Sequence, residues 1–168
     1  MVMGQMESQS HSTECPLTVT TLRFGTLEIE AKHLLSFPWG LPGLEDCQQF
    51  ILLEPHNTRP ICWLQSVEYG EIALPCIEPW TLAPKYEVVL STADSAALEL
   101  VDSGDAAVLV ILNLARPPEE RTANLIAPVV INIDRRLGRQ ILMEKGPYGL
   151  REPLAELLGS QLSAVEVH

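Results

Sequence analysis

The sequence lacks the motifs on which common catalytic and metal sites are built. It contains no glycine-rich phosphate loop, no Gly-x-Ser-x-Gly and no His-Glu-x-x-His, and no nucleophile stands at a recognisable spacing from a base. Its four cysteines, Cys15, Cys47, Cys62 and Cys76, never form a Cys-x-x-Cys pair, the usual spacing in structural zinc sites. We therefore expect a protein that is not an enzyme and has no cofactor or metal.

One zinc site remains conceivable on paper, built from Cys47, His56, Cys62 and Cys76. The spacings of these residues do not match those of known structural zinc sites. The preferred interpretation is that Cys62 and Cys76 are small buried hydrophobic residues of strands, which stay reduced in the cytosol.

Long apolar runs are also missing. No stretch approaches the roughly 20 apolar residues of a membrane-spanning helix, and residues 1–16 lack the basic and apolar regions of a signal peptide. Hydrophobic residues still make up 46% of the 168 residues, enough for one packed domain. The composition predicts a cytoplasmic protein that does not bind membranes.

Basic residues are scarce, with 11 Lys and Arg against 22 Asp and Glu, and the net charge of −11 argues against direct nucleic-acid binding. The charge is unevenly distributed. Residues 60–115 contain eight acids and one base, Lys85, whereas residues 121–151 contain six bases and two acids. Each charge alone fits a solvated surface, but the acidic segment favours a basic partner, because complementary fields steer association.

Between Leu17 and Glu144 the sequence consists mostly of short apolar runs separated by Gly, Pro, Asn and Asp, which is typical of an all-β domain. Strands are predicted at residues 17–24, 26–30, 34–37, 49–54, 61–66, 72–77, 85–90, 106–112, 129–134 and 139–143. This number of strands favours a small antiparallel β-barrel, closed or nearly closed, because closure removes exposed edges.

Two stretches have helical composition. Residues 94–101 predict one short internal helix with Asp94 as its N-cap. A leucine stripe at Leu150, Leu154, Leu157, Leu158 and Leu162 predicts an amphipathic C-terminal helix, with Pro153 in its first turn. This tail would pack on the barrel, pair with a second copy, or occupy a groove that a partner would otherwise use. The predicted organisation is a disordered extension (1–16), a β-barrel domain (17–149) and a helical tail (150–168).

Three segments are more distinctive: Phe37-Pro38-Trp39-Gly40-Leu41-Pro42-Gly43-Leu44-Glu45, Trp63-Leu64-Gln65-Ser66, and Thr122-Ala123-Asn124-Leu125-Ile126-Ala127-Pro128-Val129-Val130-Ile131-Asn132. Each alone has a structural explanation as a loop cap, a core tryptophan or an edge strand. In this order, with Phe24-Gly25, Pro84-x-Tyr86 and Arg136-x-Gly138-Arg139-Gln140, they resemble the bacterial flagellar assembly factor family (FliW). The similarity runs from about Phe24 to Tyr148. Trp39 and Leu44 depart from the family, which more often has an acidic residue and a phenylalanine there.

The resemblance implies a cytoplasmic protein that binds newly made flagellin and the RNA-binding carbon storage regulator (CsrA). Export of flagellin would free the factor to sequester the regulator and relieve repression of flagellin translation. We predict partner contacts at the exposed members of two motif loops, namely Trp39, Leu41, Leu44 and Glu45 in the first and Thr122 and Asn124 in the second.

Two alternatives belong to other functional classes. A barrel of this size could hold a flavin or another small ligand in its mouth, although no phosphate-cradling loop is present. It could also be an enzyme with an unfamiliar site. A colourless purified protein would argue against a flavin, and partner binding without turnover would argue against an enzyme.

Overall fold

A closed β-barrel forms the centre of the molecule. The computed structural model describes residues 16–158, so most of the predicted N-terminal extension and residues 159–168 of the predicted tail lie outside the described part. The strands are β1 (Leu17–Thr21), β2 (Gly25–Ile29), β3 (Leu35–Ser36), β4 (Gln49–Leu53), β5 (Cys62–Ser66), β6 (Ala73–Ile77), β7 (Ala106–Asn113), β8 (Thr122–Ala123), β9 (Val129–Asn132), β10 (Leu137–Gln140) and β11 (Glu152–Pro153).

Seven of these strands close the barrel. Neighbours pair in the order β7, β6, β5, β4, β3, β10, β9, and β9 then pairs with β7 to complete the ring. The predicted all-β barrel is thereby confirmed. The β3–β10 pairing is parallel, the one departure from antiparallel order within the ring. β8 and β11 extend from the far end of β7, and β1 and β2 form a separate hairpin.

The barrel interior is apolar. Side chains from every strand of the ring except β10 meet there, and the fully buried ones include Phe50, Leu64, Cys76 and Val129. Cys47, Cys62 and Cys76 are buried free thiols. Burial raises the pKa of Cys62 to about 12, so this thiol stays protonated at neutral pH and packs as a small hydrophobic residue, as predicted.

In the described part of the chain, three short α-helices lie outside the barrel: α1 (Pro79–Leu82), α2 (Thr92–Ala97) and α3 (Leu154–Leu158). The sequence predicted one internal helix starting at Asp94. The helix instead starts at Thr92, because Ser91 is its N-cap and the Ser91 hydroxyl accepts a hydrogen bond from the Asp94 N–H at 3.0 Å. α1 is a single helical turn with Pro79 as its first residue.

The predicted C-terminal helix is shorter than its leucine stripe. Glu152 and Pro153 pair with β8 as β11, so Pro153 is not in the helix, and Leu150 is 57% exposed. Leu154 and Leu158 are buried in a cluster with Trp63, Leu82 and Val110 on the outer barrel face. The described part of the tail therefore packs on the barrel, and Leu162 lies outside the described residues.

The predicted strand at residues 85–90 is also wrong. Residues 86–90 lie against the outer face of the barrel, where Val88 and Leu90 contact its apolar clusters. Within the described part of the chain no strand pairs with them. Their composition suits a strand, but a strand also needs a neighbour at hydrogen-bonding distance.

Among residues 16–158, no helix is long and apolar enough to cross a membrane. In the same range, no three His, Cys, Asp or Glu side chains come together in a group that could hold a metal ion.

Candidate protein-binding site

The loop that follows β3, residues 37–47, closes one end of the barrel; we call it the capping loop. Phe37 is fully buried, and its ring packs edge-on against Phe50 with the ring centroids 5.2 Å apart. Leu41 is only 2% exposed and belongs to the same interior cluster. The prediction that Leu41 is an exposed loop residue is therefore wrong, because its side chain plugs the barrel.

Two glycines of the motifs, Gly40 and Gly138, are explained by close packing at the capping loop. Gly40 has φ +64°, and a Cβ there would come within 2.6 Å of the Glu45 Cα. At Gly138 on β10, a Cβ would overlap the ring of Phe37. Both positions require glycine for steric reasons, so these parts of the motifs shape the cap.

Hydrogen bonds make the capping loop rigid. The Leu44 N–H donates to the Leu41 carbonyl at 2.7 Å, and the Cys47 N–H donates to the Leu44 carbonyl at 3.0 Å. The exposed Glu45 carboxylate accepts from the Gly43 N–H at 2.8 Å. A loop fixed in this way presents its apolar side chains with little conformational entropy left to lose on binding.

Residues 124–128 of the second motif form a loop that lies beside the capping loop. The Asn124 side-chain carbonyl accepts from the Ala127 N–H at 3.1 Å, which forms a local turn. The Gln140 amide donates to the Ala127 carbonyl at 2.9 Å. The Tyr86 hydroxyl donates to the Leu125 carbonyl at 2.6 Å, so the loop is tied to β10 and to the segment 86–90.

A cleft of about 500 Å³ opens between the two loops; we call it the apolar cleft. Its walls are mostly aliphatic, and two leucines at its surface are unusually exposed, Leu142 at 63% and Leu150 at 57%. The residues that line it are Leu41, Pro42, Leu44, Leu74, Ile111, Asn124, Ala127, Gln140, Leu142 and Leu150. Rigid concave apolar surfaces with a few polar groups are typical of binding sites.

The structure brings three of the six predicted contact residues together in this cleft: Leu41, Leu44 and Asn124. Trp39 and Glu45 lie on the capping loop but outside the cleft lining. Thr122 lies elsewhere, in β8, where it pairs with Asn113 and Pro153.

The sequence analysis did not single out Leu142 and Leu150, which line the apolar cleft. The alternating pattern had assigned Leu142 to a strand and the leucine stripe had assigned Leu150 to a helix. Leu142 lies two residues after the end of β10, and Leu150 follows Gly149 in the segment before β11. A large apolar side chain in such a connecting segment is the signal that could have found them.

Trp39 forms a second exposed feature next to the cap. It is 45% exposed, and the Arg139 guanidinium lies 4.5 Å from the centre of its ring. Arg139 also pairs with Asp94 of α2, with 3.6 Å between Nη1 and Oδ1. An exposed tryptophan held in place by a cation is a common anchor at protein interfaces.

Other motif residues serve the fold. The buried Gln65 amide donates to the carbonyls of Ser66, Gly70 and Ile72, which fixes the turn between β5 and β6. The buried Asn132 amide donates to the Leu98 carbonyl at 2.8 Å and so holds the chain that follows α2. In both residues the buried amide nitrogen donates to backbone carbonyls, which offsets the cost of removing it from water.

We expect the protein to lose stability between about pH 10 and pH 12, and Tyr86 to be one cause. Burial, with a smaller contribution from nearby Tyr148, raises the Tyr86 pKa from 10.0 to about 12. In this interval the unfolded chain loses the tyrosine proton and the folded chain keeps it, so the unfolding free energy falls with rising pH. Tyr86 should contribute on the order of 2 kcal/mol to that fall. Chemical denaturation of the wild type and Tyr86→Phe at several pH values measures it.

The matched control is Tyr69→Phe, which removes the same hydroxyl from a tyrosine that is 40% exposed. Equal pH dependence in the wild type and Tyr86→Phe would contradict the assignment.

The fold and the site define a class of protein: a small closed β-barrel with a rigid cap and an apolar cleft beside it. A family model described as FliW protein matches residues 18–154, most of the chain. The chain therefore belongs to the FliW family of flagellar assembly factors.

Individual relatives agree with this assignment. A protein of Thermosipho africanus named flagellar assembly factor FliW is 37% identical over 80% of this chain and 93% of its own length. One of Bdellovibrio bacteriovorus with the same name is 38% identical over 82% of this chain and 79% of its own. A crystal structure of the flagellar assembly factor FliW superposes with a TM-score of 0.77 at 35% identity, covering 82% of this chain and 96% of the other.

Proposed function

We propose that this flagellar assembly factor acts in the cytoplasm, without catalysis, by binding flagellin in the apolar cleft. The observation that carries the proposal is the convergence of Leu41, Leu44 and Asn124, from two motif loops, with the exposed Leu142 and Leu150. An amphipathic helix placed in such a groove buries its apolar side chains at i, i+3, i+4 and i+7. Exposed leucines beside a rigid cleft suit that kind of ligand.

We further propose that the factor, when free of flagellin, binds the RNA-binding regulator CsrA. Seven of the eight acids in residues 60–115 are exposed. Two of the eight, Asp94 and Glu99, pair with Arg139 and Arg135 of the basic segment, and the others leave an excess of negative charge. An acidic protein bound beside an RNA-binding surface repels phosphates and so weakens RNA binding without covering the RNA site.

The direct test is calorimetric titration of the purified protein with flagellin and, separately, with the regulator. We expect a saturable complex with each, and we expect flagellin to displace the regulator from a preformed complex. A folded protein that binds neither partner would refute the proposal.

We expect salt to slow association with the regulator, because exposed charges are screened within roughly 8–10 Å near physiological ionic strength. Raising the salt concentration from about 50 to 500 mM should lower the association rate constant about tenfold if opposite charges steer the encounter. Stopped-flow fluorescence measures this rate. Flagellin binding is the internal control, because burial of an apolar helix should be far less sensitive to salt. A salt-independent rate for the regulator would remove the electrostatic part of the proposal.

A further inference from the structure

At the end opposite the capping loop, part of β7 has no partner strand among residues 16–158. β6 pairs with β7 only through Cys76 and Ile77, which face Ile111 and Val110. The chain then leaves the sheet at Pro79 to form α1. The first residues of β7 pair with β9 on their other side. Within residues 16–158, no strand lies beside them where β6 would have continued.

The hydrogen-bond pattern shows which groups are left unpaired. The Asp105 carbonyl accepts from the Ile133 N–H, and the Ile111 carbonyl accepts from the Asn124 N–H, so the odd-numbered residues of β7 point their backbone groups toward β9 and β8. In an antiparallel ladder the alternate residues point the opposite way. The N–H and C=O groups of Ala106 and Val108 therefore face the gap that β6 leaves; we call this the β7 edge.

A cavity lies on each side of the β7 edge. On the interior side, about 690 Å³ is lined by apolar residues that include Leu52, Cys62 and Leu109. On the outer side, about 450 Å³ is lined by residues that include Val88 and Val130. Ala106, Val108 and Trp80 line both cavities. A strand added at this edge would direct successive side chains alternately into the two cavities, since strand side chains alternate between faces.

The charged residues around the β7 edge indicate which kind of peptide would bind there. Glu54 and Glu78 line the interior cavity together with Arg59, and Glu87 lines the outer one. Three carboxylates against one guanidinium leave a negative rim, which attracts a basic ligand. Residues 159–168 contain one acid, Glu166, and no Lys or Arg, so this segment matches the negative rim poorly.

We propose that the β7 edge is a strand-addition site for an extended partner peptide with an apolar centre and basic flanks. The peptide pairs with Ala106 and Val108, fills both cavities with its central side chains and places its lysines or arginines beside Glu78 and Glu87. The site is separate from the apolar cleft, so it does not depend on flagellin binding there. It offers main-chain recognition of a kind that sheet edges provide in other proteins.

The test uses the full chain and the synthetic peptide acetyl-Lys-Lys-Val-Ile-Val-Lys-amide, with amide hydrogen exchange followed by NMR. In the free protein, the Ala106 and Val108 amides should exchange at least about 100-fold faster than those of Ala107 and Leu109, which bond to β9. A saturating concentration of the peptide should slow hydrogen exchange at the Ala106 and Val108 amides and leave the exchange of the other two amides unchanged. Equal protection of all four amides in the free protein at low concentration would overturn the proposal.

Matched peptides and variants separate main-chain pairing from charge attraction. The control peptide has the same sequence, but the backbone nitrogens of its two central residues are methylated. Successive backbone groups point to opposite edges of a strand, so both edges of this peptide are blocked. It should bind at least tenfold more weakly than the parent peptide. Glu78→Gln/Glu87→Gln should weaken the parent peptide severalfold, and Glu28→Gln/Glu119→Gln, equally exposed but elsewhere, should not. Equal binding of both peptides would overturn the proposal.

Two other results would assign the β7 edge to different occupants and so overturn the proposal. If the Ala106 and Val108 amides are protected without peptide, and this protection is lost when the chain is truncated after Leu158, the protein's own tail occupies the β7 edge. Protection that rises with protein concentration would assign it to a second copy.

Discussion

The double variant Leu142→Asp/Leu150→Asp is expected to bind flagellin at least about 100-fold more weakly than the wild type. Both leucines stand at the surface of the apolar cleft, and burial of a leucine contributes about 1.5–3 kcal/mol. Loss of two such contacts corresponds to about 3 kcal/mol or more, which is at least two orders of magnitude in the dissociation constant. Two carboxylates placed against an apolar helix add a desolvation cost. Titration calorimetry with flagellin measures the loss.

The variant should remain folded, because both side chains are already more than half exposed. Its melting temperature should stay within a few degrees of the wild-type value. The matched control is Leu22→Asp/Val101→Asp, which changes two leucine-sized exposed residues, 82% and 99% accessible, that do not line the cleft. If the control binds as weakly as the cleft variant, net charge explains the loss; if neither is weakened, flagellin binds elsewhere.

The sequence predicted the barrel because its strands carry their own signals. β4, β5, β6, β7 and β9 are short apolar runs bounded by Gly, Pro, Asn or Asp, and each appears within a few residues of its predicted position. The parallel β3–β10 pairing was not predictable in this way. It joins Ser36 to Leu137 across about a hundred residues, whereas a hydrophobic pattern reports only on residues that are close along the chain.

The error at residues 85–90 has the same origin. The alternation of Tyr86, Val88 and Leu90 fits a strand, and the structure places these side chains against the barrel as that pattern requires. What is missing is a partner strand, because β6 turns away at Pro79. Strand propensity describes how well a segment suits a half-buried surface. Whether the segment also pairs with another strand depends on the rest of the fold.

The candidate site was only partly predictable for a further reason. The motif loops were found because proline and glycine made them distinctive, but many motif residues prove to build the fold. Phe37, Leu41, Gln65 and Asn132 are all buried. Two exposed leucines of the apolar cleft, Leu142 and Leu150, lie outside the motifs that drew attention. The cleft forms where several separate segments of the chain meet, and a periodic sequence pattern does not report such a meeting.

Phe37 and Trp39, two residues apart on the capping loop, should give opposite results when each is changed to alanine. Phe37→Ala removes a fully buried ring from the end of the barrel, and such a change costs about 3–5 kcal/mol of unfolding free energy. For a domain of this size the melting temperature should fall by roughly 10 °C or more. Thermal and chemical denaturation measure both quantities.

Trp39→Ala, in contrast, should cost about 1 kcal/mol or less of stability. The ring is 45% exposed, and its main described contact is the Arg139 guanidinium at 4.5 Å, an interaction worth about 0.5–1 kcal/mol at an exposed site. Its larger effect should be on partner binding, with a loss of about 1 kcal/mol or more, because exposed tryptophans on rigid loops act as interface anchors. Trp39→Phe should recover part of both losses, since a phenylalanine ring still stacks under Arg139. If Trp39→Ala instead melts as early as Phe37→Ala and binds both partners with wild-type affinity, Trp39 belongs to the cap and the interface is confined to the apolar cleft.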